Sequence, residues 1–405
     1  MKLTFLKIHK LFGLLDYDID LEQNEITMLT GPNGYGKTMI LKIINSILSN
    51  RLNILCRLKF EKITLSYLGG SISICHNNEV NSLNVEHFDS NEKSLAFEVL
   101  NLEIEDETEN EVIVFYVKSE KTKHRQKKPK EKPLFSSYLQ KLTSKDVVSF
   151  IVADRLQVVN GDTTVIDSCA SKLKTFIEMA QDESAELSQK LDANFPLRLF
   201  DRLEEQKRFS SANIEMRLNG IQDMRRKYMH YGFIHSEHEL VPDKSTSLNS
   251  SNEYLGVLDL YIEDALVKLS PFELLYQKID LFESILKEKI LAFKKIIIDR
   301  HSGFYFKSIN DDDIDRNMLS SGEQNQIVLL FNLIFGFSSQ KVILIDEPEI
   351  SLHVAWQQTF LESLKKIQKI NKYEKVIIAT HSPQIISKNW SMTVDLYDIL
   401  NKKSV

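Results

Sequence analysis

Apolar positions at the start of the chain recur with a period near two: Leu3, Phe5 and Ile8, then Tyr17, Ile19 and Leu21, followed by a compact apolar run at 26–29. Such alternation predicts strands. A glycine-rich turn at 31–36 separates them from Ile40, Leu41, Ile43, Ile44, Ile47 and Leu48, whose spacing predicts a helix over 39–48. The local order is therefore strand, glycine loop, helix. Residues 60–118 return to a β pattern, with Ile63, Leu65 and Tyr67, then Ile72 and Ile74, then the run 112–117.

From residue 170 the period lengthens. Segments 173–191 and 197–228 carry helical periodicity dense in Glu, Lys, Gln and Arg, and a Ser- and Asn-rich stretch at 235–252 reads as a loop. Two more helices are predicted, one from 252 or 253 to 269 and one over 271–293, with Ser270 as cap and Pro271 in the first turn. Strand patterns resume at 296–298, 304–306, 342–345 and 376–379, and no internal repeat is visible. The expected organisation has three parts. An N-terminal lobe covers 1–169, a helical insertion too short for a long coiled-coil arm covers 170–293, and a C-terminal lobe covers 294–405.

Composition adds boundaries to this picture. With 405 residues, 42% hydrophobic and 27% charged, the chain can bury a large core, which excludes wholesale disorder and a disulfide-stapled miniprotein. Cys56, Cys75 and Cys169 are scattered and lack metal-ligand spacing, so they read as buried or free thiols in a reducing compartment. Lys7 interrupts the N-terminal apolar stretch too early for a signal peptide. The longest apolar run, 327–337, contains Asn332 and falls well below the ~20 residues that span a bilayer. A cytoplasmic protein without membrane contact is expected. The net charge of −6 does not steer the whole molecule towards nucleic acid. One local exception is 118–132, with lysines at 118, 121, 123, 127, 128, 130 and 132 plus Arg125. It is either a solvated loop at a hairpin end or an arm that contacts a DNA phosphate backbone.

Four motifs carry chemistry. The sequence Gly31-Pro-Asn33-Gly34-Tyr-Gly36-Lys37-Thr38 is a complete phosphate loop, placed after a strand and before a helix as its mechanism requires. Its glycines let backbone N–H groups turn inward around an anion, and the helix N-terminus adds partial positive charge. Lys37 would reach the β- and γ-phosphates of ATP, and the Thr38 hydroxyl would bind Mg2+. The apolar run 342–345 delivers two carboxylates, Asp346 beside the metal and Glu347 to polarise the attacking water. Ser320, Ser321, Gly322 and Glu323 open a helix expected over 326–335. They suit ordinary capping or a second anion site aimed at a γ-phosphate. Thr380-His381-Ser382 closes the strand 376–379, at the sheet edge where α/β folds bind ligands, so His381 is a candidate phosphate or water contact.

In this order the phosphate loop, LSSGEQ at 319–324, IDEPE at 345–349 followed by Ile350-Ser-Leu-His353, and the THS loop resemble an ABC-class ATPase head of the SMC, RecF and OLD branch. The resemblance implies an α/β fold, with a mixed β-sheet lobe and a phosphate-loop core split by a helical insertion. It also implies that two heads sandwich two ATP molecules as a homodimer, with higher oligomers open. Ser321 and Gly322 of one copy would then complete the site of the other, with 351–353 at the seam. The family places a magnesium-binding glutamine between its lobes. Here Gln157 or Arg155 are the candidates, and the choice stays open. Two departures stand out: Tyr35 occupies a position that is usually small, and Thr38 replaces the commoner Ser. The segments ADRLQ at 153–157 and 188–198 are similar to ATPases of bacterial anti-phage systems, such as the ATPase subunit of the PARIS system and abortive-infection ATPases. Only 22 residues follow Pro383, too few for the TOPRIM domain of OLD nucleases. The chain is thus expected to sense a phage-derived trigger and to control a separate effector encoded nearby, a nuclease by analogy. A RecF- or SMC-like DNA repair or recombination ATPase is the alternative.

Overall fold

The computed structural model describes residues 2–77, 82–105, 112–117, 143, 147–153, 155–156, 164–204, 208–234, 251–289, 291, 293–336, 341–350 and 352–402. The basic segment 118–132, Gln157, Ser351 and residues 235–250 of the expected loop lie outside these residues. The chain divides into two compact units, 1–155 with 336–405, and 156–335.

In chain order the first unit opens with β1 (Leu3–Leu11), β2 (Leu15–Asp20), β3 (Ile26–Thr30), α1 (Lys37–Leu48) and α2 (Asn53–Arg57). It continues through β4 (Lys62–Tyr67), β5 (Gly70–Asn77), β6 (Ser82–Asp89), β7 (Ser94–Glu105), β8 (Val112–Val117) and β9 (Val148–Ile151). The second unit holds three long helices, α3 (Val165–Glu204), α4 (Ser211–His230) and α5 (Asn252–Lys289), then β10 (Lys294–Asp299), β11 (Gly303–Ser308), β12 (Asp313–Ile314) and α6 (Ser321–Phe335). The chain re-enters the first unit with β13 (Val342–Asp346), α7 (Val354–Asn371), β14 (Lys375–Ala379), α8 (Pro383–Ile386), β15 (Thr393–Asp395) and α9 (Leu396–Lys402).

Two sheets build the first unit. One is antiparallel, in the order β2-β1-β4-β5-β6-β7-β8, and the other is parallel, in the order β15-β3-β14-β13-β9. Every residue of β3, β13 and β14 is buried, which explains why their patterns do not alternate: a parallel strand covered on both faces has no solvent side to show. Helix α1 is apolar around most of its circumference, and Ile40, Leu41, Ile43, Ile44, Ile47 and Leu48 are all fully buried. One core cluster joins them to Leu6, Ile8 and Leu65 of the antiparallel sheet and to Leu29, Leu344 and Ile377 of the parallel sheet. At about 1.5–3 kcal/mol per buried Leu or Ile, this core fixes the helix that carries the phosphate loop.

In the second unit the structure corrects two expected helix breaks. Helix α3 runs through Pro196, and α5 runs through Pro271, where a cap had been expected. An interior proline costs roughly 3 kcal/mol because its ring removes one N–H and crowds the carbonyl four residues back. At Pro271 that carbonyl belongs to Val267, and Ser270 Oγ donates to it at 2.8 Å. Near Pro196, Arg198 donates to Leu191 O at 2.8 Å and clasps the Asp264 carboxylate on α5 with both terminal nitrogens. Asp259, only 2% exposed, likewise holds Arg202 and Arg217. Tertiary pairing between the helices thus accompanies the unbroken helix at Pro196, whereas at Pro271 the neighbouring hydroxyl takes up the freed carbonyl. Among the described residues no helix is long and apolar enough to cross a membrane.

The three-stranded sheet β10-β11-β12 packs on α3 at Gly303, where φ is +70° and an added Cβ would fall 1.9 Å from Ala170 O. Gly220, on the exposed side of α4, has open space around it. Gly303→Ala should therefore cost roughly 2–4 kcal/mol, because backbone must move. Gly220→Ala should gain ~0.5–1 kcal/mol from helix propensity. Urea unfolding followed by circular dichroism checks both, and a Gly303→Ala protein as stable as the parent would contradict the packing.

Candidate phosphate-binding site

Register in the parallel sheet sets the geometry of this site. Leu29 on β3 pairs with Ala379 on β14, and Ala379 pairs with Asp346 on β13. The phosphate loop, the Thr380–His381 turn and the acidic turn therefore leave the carboxyl ends of three adjacent strands at one level. Crevices at this edge are where ligands bind in open α/β sheets. On the other side, β15 places Asp395 beside Thr30, whose hydroxyl donates to Asp395 Oδ2 at 3.2 Å.

The loop itself needs backbone that side chains disfavour. Gly36 has φ +78°, and a Cβ there would lie 3.3 Å from Leu11 and 3.4 Å from Phe12, so glycine is required both by conformation and by space. Asn33 and Gly34 form the exposed crest, and Gly31 begins the loop at φ +130°. Tyr35, the departure noted in the sequence, packs its ring 5.9 Å from Tyr397 on α9 while its carbonyl accepts from Tyr17 Oη at 2.7 Å. Lys37 is 5% exposed and folds over the loop, Nζ donating to Gly31 O at 2.7 Å and Pro32 O at 3.0 Å. Burial pushes its pKa down, against the opposing pull of Glu347, Glu349, Asp346 and Asp395. Thr38 Oγ1 donates to Asp346 Oδ1 at 2.9 Å. Asp346 is 5% exposed, and burial, reinforced by Glu347 and Glu349, raises its pKa despite the Thr38 bond.

Glu347 sits at φ +43°, a left-handed conformation that costs a non-glycine residue roughly 1–2 kcal/mol. Its N–H donates to Ala379 O at 2.9 Å, and its Oε1 lies 4.0 Å from His381 Nε2. Two residues given no settled role by the sequence complete this turn. Glu349 Oε1 accepts from Thr380 Oγ1 at 2.9 Å and from the His381 N–H at 2.6 Å, tying the acidic turn to the His381 loop. The Arg155 guanidinium donates to the carbonyls of Asp346 (3.2 Å), Glu347 (3.1 Å) and Ile350 (3.5 Å). It is 7% exposed, and burial lowers its pKa to about 10 even beside three carboxylates. The only sequence signal for Glu349 was a third acidic residue after the proline. Arg155 was visible as a candidate but not as a clamp.

Ser320, Ser321, Gly322 and Glu323 lie in the second unit, at the start of α6. Ser320 N–H and Oγ both bind Glu323 Oε2 at 2.9 Å, and the Glu323 N–H returns a bond to Ser320 Oγ at 3.3 Å, a reciprocal capping box. Lys294 Nζ lies 2.5 Å from Glu323 Oε1. Burial works against the charge on Glu323, but Lys294 and Ser320 outweigh it and hold the carboxyl below its usual range. Arg316, just upstream, pairs with Asp167 at 2.8 Å and donates to Phe304 O at 2.7 Å, which fixes the turn within its own unit. Ser351 and Gln157 lie outside the described residues.

A model of the AAA ATPase domain family matches residues 1–386. An uncharacterized protein of Methanocaldococcus jannaschii is 32% identical over 155 residues, a match that covers 35% of this chain and 18% of that protein. The chain thus spans under a fifth of that relative's length. Among solved structures, the Smc head domain with a coiled coil and joint from Pyrococcus yayanosii covers the whole of both chains at 12% identity and TM-score 0.39. The recombination mediator protein RecF of the RecFOR pathway covers 95% of this chain and 93% of its own, at 12% identity and TM-score 0.32.

The raised pKa of Asp346 makes a testable statement about the site. A carboxyl whose folded pKa lies above its ordinary value of about 4 loses stabilising effect as pH rises through that interval, so its charge is a cost at neutral pH. Asp346→Asn keeps an acceptor for Thr38 and removes the charge. The nucleotide-free variant should melt higher than the parent. A lower melting point in thermal denaturation would contradict the electrostatic reading.

Proposed function

The chain belongs to the AAA ATPase domain family, and from that premise we propose that it is an SMC/RecF-like ATPase head working as an ATP-gated switch between two copies. The observation that carries this reading is the convergence of Thr38, Asp346, Glu347 and His381 from three neighbouring strand ends. The N–H groups of 31–36 and the N-terminus of α1 would cradle the phosphates of ATP, with Lys37 leaving its loop carbonyls for the β- and γ-oxygens. The Thr38 hydroxyl and Asp346 carboxylate give two adjacent oxygen donors, which suits Mg2+, an ion that shares its remaining positions with water and phosphate. When bound, that ion would neutralise phosphate charge. Glu347 would accept a hydrogen bond from the attacking water and orient it, and His381 would face the γ-phosphate. Ser320, Ser321 and Gly322 of a second copy would close the site from the far side, and Gln157 is a candidate for the metal-linked glutamine.

Within that reading we infer a defence role, as sensor and scaffold for a separate effector, a nuclease by analogy. The support is the likeness of 153–157 and 188–198 to anti-phage ATPases. A DNA repair head would use the same nucleotide chemistry.

Lys37→Ala should abolish ATP binding in a filter or fluorescence assay, since the loop loses its cation. Glu347→Gln should keep ATP, slow hydrolysis at least 100-fold and double the mass by light scattering when MgATP is added. A Glu347→Gln protein that turns over at the parental rate, or stays monomeric with bound ATP, would overturn the composite site.

The two biological readings part on DNA. A defence scaffold should hydrolyse ATP at a rate changed less than twofold by duplex DNA and should co-purify with a neighbouring gene product. A severalfold stimulation that vanishes when the lysines of 118–132 are neutralised would favour repair instead.

A further inference from the structure

The conformation of Glu347 raises a question that the strand register alone does not answer. A left-handed glutamate after a buried strand reverts to an ordinary conformation unless its surroundings forbid it. Three carbonyls in this turn, those of Asp346, Glu347 and Ile350, converge on a single side chain, Arg155. One nitrogen, Nη2, takes the carbonyls of both Asp346 and Glu347, and Nη1 takes Ile350 O. Arg155 follows β9 by four residues, and β9 pairs with β13 at Ile151↔Ile345, the strand whose turn Arg155 clamps.

We infer that Arg155 is a positioning residue that fixes the left-handed turn at Glu347 and thereby aims the Glu347 carboxylate at the attacking water. This rests on the role proposed for Glu347 in hydrolysis. A planar guanidinium can serve three carbonyls at once, whereas an ammonium is a compact point donor that cannot span them. The three carboxylates nearby, on Glu349, Asp346 and Glu347, make a buried cation tolerable at this position. Arg155 does not touch the phosphate loop in these hydrogen bonds, so its loss should spare nucleotide binding and act on the chemical step.

The test uses the full chain carrying Arg155→Lys, Glu347→Gln or both, with thermal melting, ATP affinity and single-turnover hydrolysis measured for each. Arg155→Lys should remain folded, bind ATP within threefold of the parent and hydrolyse it at least tenfold more slowly. In the Glu347→Gln background the same substitution should alter the residual rate less than twofold, because both changes act through one carboxylate. Four results would overturn the inference: an Arg155→Lys rate within twofold of the parent, a rate loss that multiplies through in the double variant, a loss that tracks ATP affinity, or an unfolded Arg155→Lys protein, which would assign the side chain to the core. Failure of the underlying reading looks different. Glu347→Gln alone would then hydrolyse ATP at the parental rate.

Discussion

The lateral register of β3, β14 and β13 is the constraint on which the candidate site depends. Residues far apart in sequence, Thr38, Asp346 and His381, meet because Leu29, Ala379 and Asp346 lie in one row of a parallel sheet. A slip of one residue in any of these strands would turn buried Ile and Leu side chains to the opposite face as well as displace a functional group. The core that fills both faces of the sheet therefore holds the chemistry in place. Helix α1 adds to this by burying apolar residues against both sheets, so the loop preceding it has little freedom to drift.

Electrostatics at the row are unfavourable without a ligand. Asp346, Glu347, Glu349 and Asp395 all act on Lys37, and they face a loop meant for a polyanion. Lys37 is itself partly desolvated, and burial together with Glu347 and Glu349 raises the pKa of Asp346, so its charge is held at a cost. A triphosphate entering alone would meet this negative field. Entering with a divalent ion it would meet a site in which the Thr38–Asp346 pair already offers oxygen donors. The same field explains why a buried arginine is accepted behind the turn: its charge is matched by the carboxylates in front of it.

Short, contiguous signals were legible in the sequence. The phosphate loop, the acidic strand end and the Thr380–His381 turn each combine a local pattern with a local structural context, and the strands around them follow from apolar runs. Expectation failed where a distant partner decides the outcome. The break expected between 191 and 197 does not occur, because Arg198 on α3 reaches Asp264 on α5 as well as the Leu191 carbonyl; at Pro271 it is the neighbouring Ser270 hydroxyl that takes up the Val267 carbonyl. Glu349, and the clamping role of Arg155, escaped because their contacts are long-range. Their partners lie about 30 and 190 residues away, and no local pattern announces a clamp on carbonyls.

The two helix starts proposed to face phosphate solve one electrostatic problem in different ways. Helix α1 has no acidic residue in its first turn, so its dipole is left open to an anion. Helix α6 does carry one, Glu323, because its capping box needs a carboxylate to satisfy the N–H and hydroxyl of Ser320. That carboxylate would repel phosphate if it stood alone. Lys294 on β10 neutralises it at close range, so the turn keeps the rigidity of the capping box without presenting net negative charge at the helix start. Capping and anion binding, which compete as explanations of Ser320–Glu323 in the bare sequence, are thereby compatible in the folded unit.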